Sequence, residues 1–458
     1  MRAAVRRALA AGLLALPACG EAASDFDLDL IVVTVDTLRA DRMALYGAER
    51  ATDLDAGEPW SPRWLAAQGT TFEACWAPAG KTVPALATLW TGREPLEHGA
   101  VTHMTTMQGR SFAEELKAKG YRTAARCANA SVVPEYGIYR GFEDAARRPK
   151  QAEPRVGQDL LEFAEPVVAR GQRLLLWAHY MAPHQPYAPP AEDDLWSDPA
   201  GPRGTNQELY ALHTDPAGAT PEAVAQMRAL YDGDLRTASR LVRDFLAGLD
   251  RLYRDSGRGG LLDNAVVVFT SDHGEELGDR HGYFLHAKSL SSGVIRVPLV
   301  LAGPGWEGGG RRAEAVALAD VLPLAMGRGP APREYFVATW QREFWSIRDA
   351  RWTLLHHPCE HLPDGPHEPP YPEQGGRYPY PRVALFDRAA DPLEQHDVAA
   401  EHPAETARLL RALSAWLDGL ELVAVQPFPR SEANARALDQ LVHPEWFALD
   451  GCRPEAVD

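Results

Sequence analysis

The sequence predicts an α/β fold: an α/β/α sandwich around a mostly parallel central sheet, followed by a smaller C-terminal α+β subdomain. Three observations carry this expectation. Three apolar runs are long enough to be buried strands, and each ends on a residue able to do chemistry. Capped helical segments alternate with them, which is the pattern of a parallel sheet covered on both faces. The composition changes after about residue 330, where Pro, Gly and His become frequent.

The first run, Leu28 to Val35, is broken only by Asp29 and Thr34 and ends on Asp36. The second, Leu174 to Ala178, ends on His179, and the third, Ala265 to Ser271, ends on Asp272 and His273. Open α/β sheets bind their ligands beyond the carboxyl ends of such strands. Between the runs, Ser111-Phe112-Ala113-Glu114 forms a capping box for a helix that Gly120 closes, with a short strand from Tyr121 to Ala125 after it. Pro84 suits the first turn of a helix running to Leu89. Thr220 caps, and Pro221 opens, a long amphipathic helix reaching about Leu252.

Beyond residue 330, Arg348 to Leu355 reads as a strand, 356–384 as a loop, Leu385-Phe386-Asp387 as resumed order, and Pro403 to Leu417 as a helix closed by Gly419. The expected divisions are 1–24 for an export segment and linker, 25–330 for the main domain, 331–420 for the subdomain and 421–458 for a tail. His356, His357, Cys359, His361 and His367 have irregular spacing and read as a solvated loop; Trp60, Trp64, Trp76 and Trp90 read as core or cleft lining.

With 458 residues, 45% of them hydrophobic, the chain can bury a large core. Its net charge of -16, from 63 acidic against 47 basic residues, argues against nucleic acid as a partner. An anionic substrate would need a local positive centre. At the start, Arg2, Arg6 and Arg7 precede an apolar run, Ala8 to Ala18, too short to span a bilayer. Leu16-Pro17-Ala18-Cys19-Gly20 resembles a bacterial lipobox, with a plain cleaved signal and an incidental cysteine as the alternative. The expectation is an exported protein of the bacterial cell envelope or periplasm, lipid-anchored at Cys19 and touching the membrane only there. Cys75, Cys127, Cys359 and Cys452 form no CxxC pair; a Cys359–Cys452 bridge and buried free thiols both remain open.

Asp36, Thr82, Asp272 and His273 form the candidate site. Carboxylates and an imidazole at strand ends suit one divalent cation, with Asp36, Asp272 and His273 as ligands and Thr82 supplying a hydroxyl. Ca, Mg, Mn and Zn all fit that donor set.

The surroundings of these residues run in collinear blocks. They are Val35-Asp36-Thr37-Leu38-Arg39-Ala40-Asp41-Arg42; Thr82-Val83-Pro84-Ala85-Leu86 with Thr91-Gly92-Arg93; His179-Tyr180-Met181-Ala182-Pro183-His184; Thr270-Ser271-Asp272-His273-Gly274-Glu275 with His281-Gly282; and Asp391-Pro392-Leu393-Glu394-Gln395-His396-Asp397. Together they resemble the sulfatase family of the alkaline phosphatase superfamily, over about residues 28–400. The resemblance implies an alkaline phosphatase-like fold and a metal-dependent hydrolase of sulfate or phosphate esters. It further implies that Lys288 contacts the ester anion and that His184 is an anion contact or a proton donor, with His281 and His286 as substrate-binding candidates.

The chain departs from the family at its nucleophile. Sulfatases convert a cysteine or serine there to formylglycine; Thr82 cannot give that aldehyde, and Leu86 stands where an arginine is usual. No formylglycine is therefore expected. Threonine at this place resembles relatives that attack phosphorus directly, which favours phosphoryl chemistry on a small-molecule, glycan or lipid-head-group ester. Two other functions share these residues: an envelope transferase passing a phospho-group through Thr82, and a non-catalytic lipoprotein binding an anionic glycan.

Overall fold

The computed structural model describes residues 26–103, 105–214, 219–279, 284–286, 289–340, 344–356 and 383–424. Its strands are β1 (Asp29–Val35), β2 (Thr70–Trp76), β3 (Arg122–Cys127), β4 (Asp144–Arg147), β5 (Leu174–Tyr180), β6 (Ala265–Ser271), β7 (Glu276–Leu277), β8 (Phe284–Leu285), β9 (Arg296–Ala302), β10 (Gly310–Arg312), β11 (Val316–Ala317), β12 (Phe336–Trp340), β13 (Phe344–Arg348), β14 (Trp352–His356) and β15 (Val383–Asp387). Among the described residues the main sheet has nine strands in the order β10-β2-β9-β6-β1-β5-β3-β4, with β11 paired to β2. Only β9 runs against the others.

Every residue of β1, β5 and β6 is buried. Alternation along each strand feeds two separate cores. Leu30 and Val32 join one with Leu175, Trp177, Val266 and Val268. Ile31, Val33 and Val35 join the other with Leu176, Ala178, Val267 and Phe269. A strand covered on both faces needs apolar residues at every position, which is why these stretches read as runs. Each such side chain contributes about 1.5–3 kcal/mol by leaving water. The helix Thr82–Thr91 covers the first face through Val83, Leu86, Leu89 and Trp90. The helices Pro154–Ala169 and Pro221–Asp255 cover the second.

β12 to β15 form a four-stranded antiparallel sheet. One face, with Ala338, Phe344, Leu355 and Phe386, merges into the first core. The other, with Trp345, Ile347 and Leu354, is closed by Leu409 and Leu413 of the helix Pro403–Asp418. The architecture is therefore the expected α/β/α sandwich with a smaller α+β unit behind it.

Local expectations fare unevenly. Ser111 and Glu114 make both bonds of the capping box, and Thr220 caps its helix by accepting from Ala223 N at 3.2 Å. The stretch Arg348 to Leu355 is not one strand: Asp349 Oδ1 accepts from Arg351 N and Trp352 N, turning the chain between β13 and β14. Gly419 closes its helix with right-handed backbone, φ −84°, so its conformational freedom is not what ends it. His356 belongs to β14 and is buried, not part of a loop; His357, Cys359, His361, His367, Cys452 and Cys19 lie outside the described residues. Cys75 and Cys127 are buried free thiols. Among the described residues no helix is long and apolar enough to cross a membrane.

Candidate active site

Strand register assembles the site. Val35 pairs with Tyr180 of β5 on one side and with Ser271 of β6 on the other, so the three strands end level. Asp36 and Asp272 each follow a paired residue and face one another, while His179 lies beside Thr34. All three are fully buried. Thr82 arrives from the other direction as the first residue of the helix Thr82–Thr91, with its Oγ1 3.4 Å from His273 Nε2. The four expected residues Asp36, Thr82, Asp272 and His273 are thus brought together.

The hydrogen bonds divide each carboxylate into a committed and an uncommitted oxygen. Asp36 Oδ2 accepts from Asn129 Nδ2 at 2.9 Å and lies 3.2 Å from His179 Nε2. Asp272 Oδ1 accepts from His273 N at 2.9 Å and from Thr37 N at 3.4 Å. Asp36 Oδ1 and Asp272 Oδ2 are buried and have no hydrogen-bond partner among the described residues. His273 Nε2 lies 3.9 Å from the first and 3.4 Å from the second. Buried charged oxygens without partners are costly, so this pair calls for a cation.

The donor set fits one. Two ligands each about 2.1 Å from an ion at a tetrahedral angle stand about 3.4 Å apart, close to these spacings. One donor atom each from Asp36, His179 and Asp272 also lies within 4.8 Å of the others. Tautomers favour His273 as the nitrogen ligand. Its Nδ1 lies 2.9 Å from the Gly274 carbonyl, to which only an N–H can donate, leaving Nε2 as a lone pair. His179 instead faces the oxygen already taken by Asn129. Its Nδ1 lies 2.8 Å from Thr34 Oγ1, which accepts from Trp177 Nε1 at 2.9 Å. A hydroxyl that accepts from the indole can donate onward to Nδ1, leaving His179 Nε2–H to donate to Asp36 and orient it.

Charge follows the same division. Burial acts to raise the Asp36 carboxyl, but the His179 hydrogen bond and the nearby imidazoles outweigh it and hold Asp36 below the usual carboxylate range. Burial, and then the charge of Asp36, push Asp272 upward. Two anions at this spacing do not both ionise cheaply without a counter-charge. Thr37, next in the chain, has φ 55°, an outlier for a β-branched residue, and is held there as its carbonyl accepts from Tyr231 Oη at 2.7 Å.

A second layer of groups flanks the site. The His286 ring is 4.6 Å from that of His273 and 5.1 Å from that of His184. Glu275 Oε1 lies 2.9 Å from His286 Nδ1, and burial pushes Glu275 up to about 8 against the pull of His184. Burial brings His184 down to about 4, so it is neutral at pH 7; its Nδ1 lies 2.9 Å from the Gln185 carbonyl, and Nε2 is left for other contacts. His281 and Lys288 lie outside the described residues. Reading the sequence missed Asn129, His179 and Glu275 as site residues. The first two stand at or just past strand ends, a signal that applied equally to them.

A family model described as Sulfatase matches residues 29–329. Arylsulfatase K of Danio rerio is 32% identical over 114 residues, 25% of this chain and 20% of that protein. The match thus spans about a fifth of that curated relative. Among solved structures, the phosphonate monoester hydrolase SpPMH from Silicibacter pomeroyi is similar with a TM-score of 0.61 at 20% identity, covering 88% of this chain and 100% of that one. A protein solved in complex with D-glucosamine-2-N,6-O-disulfate has a TM-score of 0.61 at 15% identity, with the same coverage of 88% and 100%.

Proposed function

Because this chain belongs to the sulfatase family, we propose that it is a metal-dependent ester hydrolase in which Thr82 is the nucleophile and phosphoryl esters are preferred. The observation that carries this reading is the pair of buried oxygens without a hydrogen-bond partner among the described residues, Asp36 Oδ1 and Asp272 Oδ2, facing His273 Nε2 with the Thr82 hydroxyl 3.4 Å from that nitrogen. Asp36, Asp272 and His273 would hold one divalent ion, which when bound supplies positive charge for the ester anion and eases deprotonation of a hydroxyl.

The chain's own groups supply the rest. Thr82 is the first residue of its helix, where unpaired N–H groups and the dipole favour an anion. Its Oγ1 forms the new bond to phosphorus as the bond to the leaving oxygen breaks. The proton that Thr82 Oγ1 gives up passes to His184 Nε2 and from there to the leaving oxygen; water later attacks phosphorus, its oxygen leaving with phosphate and its proton restoring the Thr82 hydroxyl. His184 Nε2 is suited to take and return the proton, since its neutral ring has Nδ1–H directed to the Gln185 carbonyl and Nε2 as a lone pair. His286, oriented by Glu275, stands on the same side, and Lys288 is assigned to the ester anion through the family motif alone. Asn129 and His179 keep Asp36 turned so that Oδ1 faces His273.

Substrate preference rests on Thr82. The solved neighbours include phosphonate monoester hydrolases and a protein with a disulfated glucosamine, so both ester classes occur on this fold. The test is a panel of 4-nitrophenyl phosphate, bis(4-nitrophenyl) phosphate, a 4-nitrophenyl phosphonate and 4-nitrophenyl sulfate, each with chelator and with added Mg, Ca, Mn or Zn. Metal-dependent turnover is expected, fastest on a phosphoryl ester. Turnover of the sulfate alone would sink the substrate half, and chelator-resistant turnover the metal half. Export with lipidation at Cys19 remains part of the proposal; unchanged membrane association of Cys19→Ser would reject the anchor.

A further inference from the structure

The segment Asp391-Pro392-Leu393-Glu394-Gln395-His396-Asp397 takes no part in the chemistry above, yet its side chains hold the chain that follows the site residues Asp272 and His273. Glu394 is buried, and its carboxylate accepts from Ser292 N at 2.8 Å and from Ser292 Oγ at 2.7 Å. Arg348 of β13 stands 4.0 Å from the same carboxylate and donates to the Leu290 carbonyl at 3.0 Å. Next along, Gln395 Nε2 donates to the Asp279 carbonyl at 2.6 Å. These bonds grip the chain on both sides of β8, after which His286 follows directly.

From Ser292 the connection continues inward. Gly293 O accepts from Glu275 N at 3.2 Å, and Val294 O accepts from Gly274 N at 2.5 Å. Gly274 permits this close approach: a Cβ there would lie 2.2 Å from Gly293 O, while one on Gly293 would meet the Arg39 side chain at 3.0 Å. Gly274 and Glu275 directly follow His273, Gly274 O is the acceptor for His273 Nδ1, and Glu275 holds His286. Asp279 is in turn paired with Arg39, three residues after Asp36, and with Arg228 of the long helix.

The conformation of Glu394 adds an independent observation. Its φ is 55°, a left-handed backbone that glycine would adopt without strain. A glutamate there is unfavourable for the turn alone, so the turn does not explain the side chain. Its carboxylate explains it.

We propose that Glu394, assisted by Gln395, is a positioning residue: through Ser292 and Gly293 it fixes the Gly274–Glu275 backbone, and so sets His273 and His286 at the candidate site. This rests on the site reading given above. The C-terminal subdomain then acts on the active site through the hydrogen bonds of Glu394 and Gln395.

Glu394→Gly separates the two readings of this position, because it relieves the backbone and deletes the clamp. Amide hydrogen exchange on the full-length protein should show Gly274, Glu275 and Ile295 exchanging at least about tenfold faster, with β1 and β5 unchanged. On the panel ester that the wild type turns over best, kcat/KM should fall about 10- to 100-fold. Glu394→Gln should recover most of both, since its carbonyl can accept from Ser292 N and its amide can donate to Ser292 Oγ. Wild-type exchange at Gly274 and Glu275 in Glu394→Gly would overturn the proposal. Uniform acceleration across the sheet, or local acceleration with unchanged turnover, would overturn it as well. If the wild type turns over no ester of the panel, the hydrolase reading fails while the exchange data still decide the clamp. Should Glu394→Gly not fold, Ser292→Ala deletes one of the two bonds and is read in the same way.

Discussion

Two of the regions in which this molecule buries charge treat it in opposite ways. At the carboxyl end of the main sheet, Asp36 and Asp272 each keep one oxygen without a hydrogen bond among the described residues. Behind it, in the antiparallel sheet, the buried guanidinium of Arg348 has its counter-charge inside the protein, the buried Glu394 carboxylate 4.0 Å away. Arg348 lies 4.6 Å over the Trp76 ring and donates to Leu290 O; Arg388 lies 5.3 Å over the same ring and donates to Trp352 O at 2.9 Å and Thr353 Oγ1 at 2.7 Å. A guanidinium on an aromatic face with a carboxylate in reach is charge-balanced from within the protein. The two facing carboxylates are not. Burial alone therefore does not mark a functional charge; like charge left uncompensated does.

The largest expected effect is on the open side of that contrast. Thr82→Ala should lower kcat at least about a thousandfold in single-turnover assays of the best panel ester, with the thermal midpoint nearly unchanged. Thr82→Ser should retain part of the rate, since the oxygen survives without the β-branch that restricts it. On the closed side, Leu354→Ala should cost about 2–5 kcal/mol of stability by chemical unfolding. It should leave divalent-metal affinity, read by calorimetry, unchanged. A parallel loss of affinity would show that the two regions are not separable.

Asn129→Ala sharpens the contrast within the site. It removes a donor from the committed oxygen of Asp36 and should weaken metal binding by about 10- to 100-fold, read by the same titration. The smallest effect concerns His98, buried and neutral, with Nδ1 accepting from Ala100 N at 3.1 Å and Nε2 2.9 Å from Thr88 Oγ1. Burial brings His98 down to about 3. The unfolded chain therefore binds the proton first as pH falls, and stability present above about pH 6.5 is lost progressively toward pH 3. Its share between pH 6.5 and 5.5 is about 1 kcal/mol. His98→Gln should be less stable at neutral pH but show a shallower acid slope of the thermal midpoint; an unchanged slope would refute this assignment.

The residues legible in the sequence were those whose position follows from the main sheet. Asp36, Asp272 and His273 end runs that must be strands, and level register then brings them together. Thr82 was legible through the proline of its first turn and the family blocks. Asn129 was not, because its signal is only a place two residues beyond β3. His179 was visible as a strand end, but its bond to Asp36 depends on side-chain geometry that spacing does not carry. The turn between β13 and β14 escaped because Asp349 makes it without glycine or proline. Glu394 reads as an ordinary acidic residue; only its φ and its reach to Ser292 distinguish it.

The lone reversed strand, β9, has a consequence for how such a protein can diversify. Because β6 leaves and β9 enters at the same end of the sheet, the whole excursion between Asp272 and Ile295 starts and finishes at the site. Residues can be added to or removed from its middle without disturbing the pairing of any strand of the main sheet. Changes of length there would be felt by the substrate and hardly by the fold, which makes this excursion the natural place to graft a new specificity onto an unchanged scaffold.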